Sequence, residues 1–189
     1  MSYGSTFIHG QEKTYWTLLN ADCASCNIIW VNECNNWSIG DTLVIVTTGN
    51  GASSFGSVIQ SADNFKSEQR TISSIDSSVD TGCLITLSYA LSYYHRGEWI
   101  DGKIPTQAEV LNMDRSITIT GPEPHIYDTN ELRNGFQGIT TRQSGSDGIM
   151  QIHNTRIEKC GRVDLGEYCS YFHLVGDCNE CQFVGNVVT

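Results

Sequence analysis

The sequence has few of the features that mark helical, membrane-spanning or nucleic-acid-binding proteins. No stretch of a dozen residues carries apolar side chains at helical spacing behind a capping residue, so helices are not expected as the main element. The longest apolar run, around Leu43 to Val46, is far too short to span a bilayer, and no signal peptide follows Met1. The chain has 11 Lys and Arg but 21 Asp and Glu, so its net charge is negative. Binding to nucleic acid needs clustered positive charge, and no nucleic-acid partner is therefore expected.

Cysteine, by contrast, is abundant, with 8 in a polar chain of 189 residues. An even, high cysteine content is typical of disulfide-bonded proteins in an oxidising compartment, so we expect an extracellular or cell-surface location. The disulfide candidates are Cys23, Cys26, Cys34, Cys83, Cys160, Cys169, Cys178 and Cys181. Local pairing predicts that Cys23 or Cys26 bonds to Cys34 and that the last four pair among themselves. The two Cys-x-x-Cys pairs could also bind structural zinc, but they lie at opposite ends of the chain, which favours disulfides.

One tripeptide, Asn36-Trp37-Ser38, matches the acceptor sequence for N-linked glycans. Glycosylation at Asn36 would agree with secretion if the asparagine lies in an exposed turn. A buried Trp37 could instead hold the asparagine away from the transferase. The sequence leaves both alternatives open.

Strand-forming runs recur along the chain, which predicts an all-β fold. The predicted strands cover Asn27–Asn32, Thr42–Thr48, Arg70–Ile75, Cys83–Leu87, Ser116–Thr120, Ile149–His153 and Tyr171–Val175. Over residues 1–121 the strand spacing varies and the alternation is only partial, which is typical of an irregular β-barrel or sandwich-like domain.

Residues 122–189 have a different pattern, which predicts the first coils of a right-handed parallel β-helix. A short alternating strand is followed by Asn154, by a second short strand at Arg156–Glu158 and by a comparable unit after Tyr171. Ile152 and Leu174 lie 22 positions apart, about the length of one coil.

Asparagines mark the predicted bends of these coils. An inward-facing amide at a bend can hydrogen-bond the backbone of neighbouring coils, so Asn154 and Asn186 are predicted to be structural residues. The β-prone end at Asn186–Thr189 carries no polar stop. Such an edge needs a cover, so either the polypeptide continues or another subunit stacks there.

Six short motifs in a fixed order resemble a known family. They are Thr14–Leu18, Trp37–Ile45, Glu68–Ile72, Leu91–His95, Ala108–Val110 before Arg115–Gly121, and Gly166–Leu174. The chain resembles proteins in which a glycine-rich G-eight domain precedes parallel β-helix repeats, including the cell-migration-inducing hyaluronidase, the transmembrane hyaluronidase and the fibrocystin-like proteins. The resemblance implies an all-β chain ending in a β-helix, and a protist or algal source.

The last motif departs from the family pattern. This chain has Glu167 where animal members have arginine, Cys169 in place of proline, and Tyr171 in place of the first histidine of a pair, so that only His173 remains. A basic residue and a histidine suited to a polyanionic sugar are therefore missing. No catalytic residue is carried over from the resemblance.

The residues around His173 still form a candidate polar site. Tyr171 and His173 point to the same face of a strand, where Asp177 or Glu167 could join them in binding a metal or transferring a proton. A packed histidine on the wall of a coil is the favoured interpretation. No metal site is therefore predicted.

Two further sets of polar residues are candidate sites. His95, Glu98 and Asp101 are expected to be solvated on a loop. Calcium is a candidate ligand, because oxygen ligands are offered by Asp76 with Asp80 and by Asp128 with Asn130 and Glu131. Neither set has the spacing of a complete calcium loop. No other cofactor is expected, and no nucleophile elbow, P-loop or dinucleotide fingerprint occurs.

These features favour a non-catalytic extracellular structural or interaction protein, with a cell-surface or filament role through stacking of β-coils. Its expected partners are further copies of itself, other extracellular proteins or glycans. A hyaluronidase-like, polysaccharide-degrading enzyme and a glycan-binding module are the alternatives.

Overall fold

The computed structural model describes residues 5–48, 67–79, 81–98, 106–121, 138–141, 148–161, 168–173 and 175–189. All regular elements in these ranges are β-strands, so the predicted all-β class is confirmed. The described part of the chain contains no apolar helix of membrane-spanning length. Two compact units are present, one formed by Lys13–Met113 and the other by Met1–Glu12 together with Asp114–Thr189.

Most of the strands are short, with two to five residues, and the exception, Glu68–Asp76, has nine. In chain order they are β1 (Thr6–His9), β2 (Trp16–Leu18), β3 (Cys23–Ala24), β4 (Ile28–Val31), β5 (Thr42–Ile45), β6 (Glu68–Asp76), β7 (Cys83–Leu87), β8 (Tyr94–His95), β9 (Glu109–Asn112), β10 (Ile117–Thr120), β11 (Gly138–Thr141), β12 (Met150–His153), β13 (Thr155–Glu158), β14 (Ser170–His173), β15 (Gln182–Val184) and β16 (Val187–Val188). Eight of these, β2 to β9, lie in Lys13–Met113, which we call the barrel-like unit.

The barrel-like unit is built on one six-stranded antiparallel sheet. Its strand order is β2-β9-β5-β6-β7-β4, and β3 pairs with β8 separately. An antiparallel bridge between Leu19 and Val31 brings the two edge strands β2 and β4 together, so the sheet is nearly closed. This arrangement confirms the barrel-like part of the sequence prediction.

Alternation along the strands builds the core of this unit. In β7, Cys83, Ile85 and Leu87 are buried, and the residues between them are half-buried. Burying each large aliphatic side chain contributes about 1.5–3 kcal/mol. The core also contains Leu19, Ile29, Val31, Trp37, Leu43, Ile45, Ile72, Leu91 and Val110.

The second unit, which we call the coil unit, consists of parallel pairs. Its sheets have the orders β1-β12-β15, β10-β13-β16 and β11-β14. Strands β12, β13 and β14 visit the three sheets in turn before β15 returns beside β12, which completes one coil.

The predicted coil length is wrong. Ile152 pairs with Phe183, and one coil also separates Thr155 from Asn186, which are 31 residues apart. Leu174, the partner expected at 22 positions, lies outside the described residues. The coil is longer because three strands and their connections, rather than two strands, make one turn.

The predicted boundary at residue 121 is also wrong, because the barrel-like unit is inserted into the first coil. Ile8 of β1 pairs with Ile152, and Ile119 of β10 pairs with Ile157, so both strands belong to the coil unit. The chain thus leaves this unit after β1 and returns at β10. Parallel partners so far apart in sequence leave no periodic signal.

All eight cysteines form disulfides. The bonds join Cys23 to Cys26, Cys34 to Cys83, Cys160 to Cys169 and Cys178 to Cys181. The expected bond from Cys23 or Cys26 to Cys34 is wrong. Pairing of β4 with β7 sets Val31 opposite Cys83, which places the chain leaving β4 beside the start of β7.

Candidate functional site

The carboxylate of Glu68, at the start of β6, is the centre of a hydrogen-bonded cluster in the barrel-like unit. It accepts hydrogen bonds from the backbone N–H groups of Ser92, at 2.8 Å, and Tyr93, at 2.9 Å. Nη2 of Arg70 and Nε2 of His95 also contact it, the latter at 3.1 Å. These residues form what we call the Glu68 cluster, which ties β6 to the segment that leads into β8.

His95 is the innermost member of the Glu68 cluster, with no exposed surface. Its Nδ1 lies 3.0 Å from the carbonyl oxygen of Val46, and its Nε2 faces the carboxylate of Glu68. Both ring nitrogens therefore lie within hydrogen-bond distance of an oxygen of the chain itself. The expectation of a solvated His95 beside Glu98 and Asp101 is therefore wrong for His95, and Asp101 lies outside the described residues.

The charge of Glu68 is set by opposing effects. Burial raises the pKa of the carboxyl group, but the N–H groups of Ser92 and Tyr93 lower it. His95 and the positive charge of Arg70 act in the same direction, so the pKa lies below its ordinary value. Glu68 is thus held as a carboxylate whose oxygens are already engaged by donors of its own chain.

A shallow groove of about 520 Å³ lies next to the Glu68 cluster. It is lined by Gln69, Arg70, Thr71, Ser88, Tyr89, Ala90 and Ser92, and we call it the Tyr89 groove. Tyr89 is 78% exposed. The guanidinium of Arg70 donates to the carbonyl oxygen of Ala90 from Nε at 3.1 Å and from Nη2 at 2.9 Å. Because Arg70 is engaged by its own chain, the groove offers mainly hydroxyl, amide and aromatic groups.

A second buried carboxylate, Asp41, fixes the turn before β5. Its Oδ2 accepts hydrogen bonds from Nζ of Lys13 at 2.7 Å, Nδ2 of Asn112 at 2.8 Å and the N–H of Ser38 at 3.0 Å. Burial raises the pKa of Asp41, and these three donors outweigh that effect and lower it. Asp41 therefore has the same structural character as Glu68.

The residues predicted from sequence around His173 are brought together only in part. Tyr171 and His173 both lie on β14, whereas Glu167 falls outside the described residues. Tyr171 packs edge-to-face against Tyr168, with ring centroids 5.4 Å apart. Asp177 is exposed beyond the strand. The described residues thus give Tyr171 a packing role.

The metal hypotheses are tested only where their residues are described. Across the described ranges, no group of three His, Cys, Asp or Glu side chains is arranged to hold a metal ion. The cysteines of the zinc hypothesis are oxidised in pairs, so they are not thiolate ligands. Asp76 accepts hydrogen bonds from the N–H and hydroxyl of Ser78. Asp80, Asp128, Asn130 and Glu131 lie outside the described residues.

Sequence reasoning missed Glu68 as a buried residue. A carboxylate at the start of a strand is normally expected on the surface. The donors that bind it, Ser92 and Tyr93, lie more than twenty positions away in the sequence. One signal could have shown that Glu68 is buried. Glu68 lies four residues before Ile72, so the two side chains are on the same face of the strand, and Ile72 is expected to face the core.

No protein-family model matches the chain. Among curated proteins it is similar to fibrocystin-L from Mus musculus, with 30% identity over 218 aligned residues covering 96% of this chain. Fibrocystin-L from Homo sapiens is 29% identical over 205 residues and 89% of this chain. The chain spans only 5% and 4% of the lengths of these two relatives. This weak similarity over most of the chain supports the fibrocystin-like part of the resemblance.

Phage tailspikes are among the solved structures that the chain resembles in part. The tailspike gp49 of Pseudomonas phage LKA1 has a TM-score of 0.38 and 11% identity, covering 85% of this chain and 21% of its own. The Gp54 tailspike of Acinetobacter baumannii bacteriophage AP22, solved with a capsular saccharide, has a TM-score of 0.39 and 13% identity, covering 98% and 35%. At these scores the folds are only distantly alike.

Proposed function

We propose that this chain is an extracellular, non-catalytic structural or interaction segment of a fibrocystin-like protein. In this proposal the barrel-like unit corresponds to a G-eight domain, and the coil unit begins a right-handed parallel β-helix. The observation that carries the non-catalytic part of the proposal is that the carboxylate of Glu68 is fully engaged by donors of its own chain.

A general base or nucleophile needs a free lone pair and access to substrate. The side chain of Glu68 is only 5% exposed, and its two oxygens already accept from two backbone N–H groups, Arg70 and His95. Arg70 in turn has donors committed to the carbonyl of Ala90. The cluster is therefore suited to holding the barrel-like unit together rather than to acting on a substrate.

The disulfides support the extracellular location. Oxidised cysteines persist in secreted and cell-surface proteins and are rare where glutathione keeps thiols reduced. The bond between Cys34 and Cys83 joins positions 49 residues apart, which is the kind of long-range link that stabilises exposed domains.

The coil unit has a surface suited to stacking. Its inward columns Ile8–Ile152–Phe183 and Ile119–Ile157–Val188 run across the parallel sheets. Ile152 and Ile157 are buried, whereas Phe183 is 37% and Val188 58% exposed. Among the described strands, β15 and β16 each pair on one side only. A further coil laid on this edge would bury both side chains. We propose that β-coil stacking covers the edge, by the next coil of a longer polypeptide or, for the 189-residue chain by itself, by a second copy head to tail.

Light scattering coupled to size exclusion tests the stacking. We expect oligomers whose mass rises with protein concentration, and monomers for Val188→Lys, because a lysine at that position charges the stacking edge. Ile39→Lys is the matched control, since Ile39 is 70% exposed in the barrel-like unit and should leave assembly unchanged. Monomers of the unaltered chain at every concentration would overturn the stacking.

The non-catalytic assignment has its own test. The purified, oxidised chain is incubated with a panel of polysaccharides that includes hyaluronan, with and without calcium, and new reducing ends are measured. We expect none above the level of a heat-unfolded sample. New reducing ends above that level with any polysaccharide of the panel would overturn the assignment.

A glycan-binding module is the second candidate function, and the Tyr89 groove favours it. An exposed tyrosine ring beside hydroxyl and amide groups suits stacking and hydrogen bonding to a neutral sugar. A glycan array would test it, with Tyr89→Ala expected to lose the signal. Tyr15→Ala is the control, because Tyr15 is 43% exposed outside the groove. An array without hits would remove this candidate.

A further inference from the structure

The acceptor tripeptide Asn36-Trp37-Ser38 lies on a well-defined turn of the barrel-like unit. The N–H of Trp37 donates to the carbonyl of Cys34 at 3.1 Å, which closes the turn over Asn35 and Asn36. Asn36 has a φ of 60°, a left-handed conformation that asparagine tolerates better than most residues. Its side chain is exposed.

Trp37 is turned the opposite way. It is 7% exposed, packs in the core, and donates from Nε1 to the carbonyl oxygen of Thr14 at 2.7 Å. Ser38 is held by its N–H to Oδ2 of Asp41 and is itself exposed. Burial of Trp37 therefore does not bury Asn36. The tryptophan packs into the core on one side of the turn, and the asparagine lies on the side exposed to solvent.

We infer that Asn36 carries an N-linked glycan in the mature protein. The acceptor sequence, an asparagine followed two positions later by serine or threonine, occurs once in the chain, at Asn36. A folded domain keeps a glycan only at a position where the sugar projects into solvent, and Asn36 meets that requirement. The inference rests on the proposed extracellular location, since the transfer takes place in the secretory pathway.

Glycan attachment joins the side-chain amide of Asn36 to a sugar. Nδ2 of Asn36 attacks C1 of an oligosaccharide that is linked to a lipid pyrophosphate. The N–C1 bond forms, the bond between C1 and the phosphate oxygen breaks, and the lipid pyrophosphate leaves with the bonding electron pair. Nδ2 loses one proton to a base of the transferase. The tripeptide's Ser38 is required for recognition and is not consumed.

The test is secretion of the full chain from animal cells behind a signal peptide, followed by intact mass and digestion with peptide-N-glycosidase. We expect a single mass shift that the digestion removes. Asn36→Gln and Ser38→Ala should abolish the shift, whereas Ser38→Thr should keep it. Asn35→Gln is the matched control, because Asn35 is also exposed on the same turn but begins no acceptor sequence.

The outcomes separate this inference from the proposed location. A secreted chain with no free thiols and no mass shift would overturn the glycan at Asn36 and leave the extracellular proposal standing. A chain retained in the cell with free thiols would overturn the extracellular proposal and the inference with it. A shift that persists in both Asn36→Gln and Ser38→Ala would place the glycan elsewhere and also overturn the inference.

Discussion

Glu68 and His95 meet inside the barrel-like unit, with Oε1 of the carboxylate 3.1 Å from Nε2 of a fully buried imidazole. The same carboxylate holds the N–H groups of Ser92 and Tyr93, so it joins β6 to the segment that enters β8. One side chain thus accepts from two backbone N–H groups and contacts Arg70 and His95 as well.

Replacing this carboxylate should be costly. Glu68→Gln keeps the size of the side chain but removes its charge and replaces one accepting oxygen with an amide nitrogen that donates, so the N–H groups of Ser92 and Tyr93 and the guanidinium of Arg70 lose part of their acceptor. We expect a loss of about 3 kcal/mol in the free energy of unfolding. All four tryptophans lie within Lys13–Met113, so tryptophan fluorescence in a urea titration reports on this unit. Glu33→Gln is the control at an exposed glutamate, and equal losses in both variants would refute the structural role.

Stability should decrease in acid. The pKa values of Glu68 and Asp41 are lowered in the folded chain, so each carboxylate contributes stability above its unfolded pKa. That contribution is lost as the pH falls through the lowered folded values, beginning below about pH 4. Urea titrations at a series of pH values should therefore show a falling midpoint. Glu68→Gln should show a shallower fall than the unaltered chain, and an identical slope would contradict this assignment.

The disulfides should contribute unequally to stability. The bond between Cys34 and Cys83 closes a loop with a sequence separation of 49, against 3 for Cys23 and Cys26. In the chain-entropy treatment these correspond to about 4 and about 2 kcal/mol. We therefore expect the double variant Cys34→Ala/Cys83→Ala to lose more stability than Cys23→Ala/Cys26→Ala, again by tryptophan fluorescence. A larger loss in the second variant would show that strain or packing outweighs loop closure.

Local patterns predicted the strands but not their partners. The alternation of Cys83–Leu87 predicted β7 with its observed bounds, because burial of every second side chain is a property of neighbouring residues. The bond of Cys34 to Cys83 and the contact of Glu68 with His95 depend on which strands lie side by side. A single sequence carries no signal for such pairings.

The insertion of the barrel-like unit between β1 and β10 also could not be predicted from the sequence. β1 was not predicted as part of a coil, since its partner β12 comes only after the whole barrel-like unit. The role of Asn186 was predicted, because an asparagine after a glycine between two short strands is a local pattern. The structure confirms it through contacts of the amide with the neighbouring coil.

Asn186 should therefore stabilise the coil unit. Its Oδ1 accepts from the N–H of Thr155 at 3.0 Å, and its Nδ2 donates to the carbonyl oxygen of Ile152 at 2.6 Å. Thr155 has no exposed surface, so removing the amide leaves a buried N–H without an acceptor. We expect Asn186→Ala to lose about 2 kcal/mol, the worth of two such hydrogen bonds.

This unit contains no tryptophan, so hydrogen exchange is the suitable measurement. The amide of Thr155 should exchange faster by a factor of roughly thirty if its protection falls by about 2 kcal/mol. Asn179→Ala is the matched control, because Asn179 is exposed in the same unit. Unchanged exchange at Thr155 in Asn186→Ala would mean that the parallel strands hold the coil without the amide. The asparagine would then occupy the bend only because its backbone suits the turn.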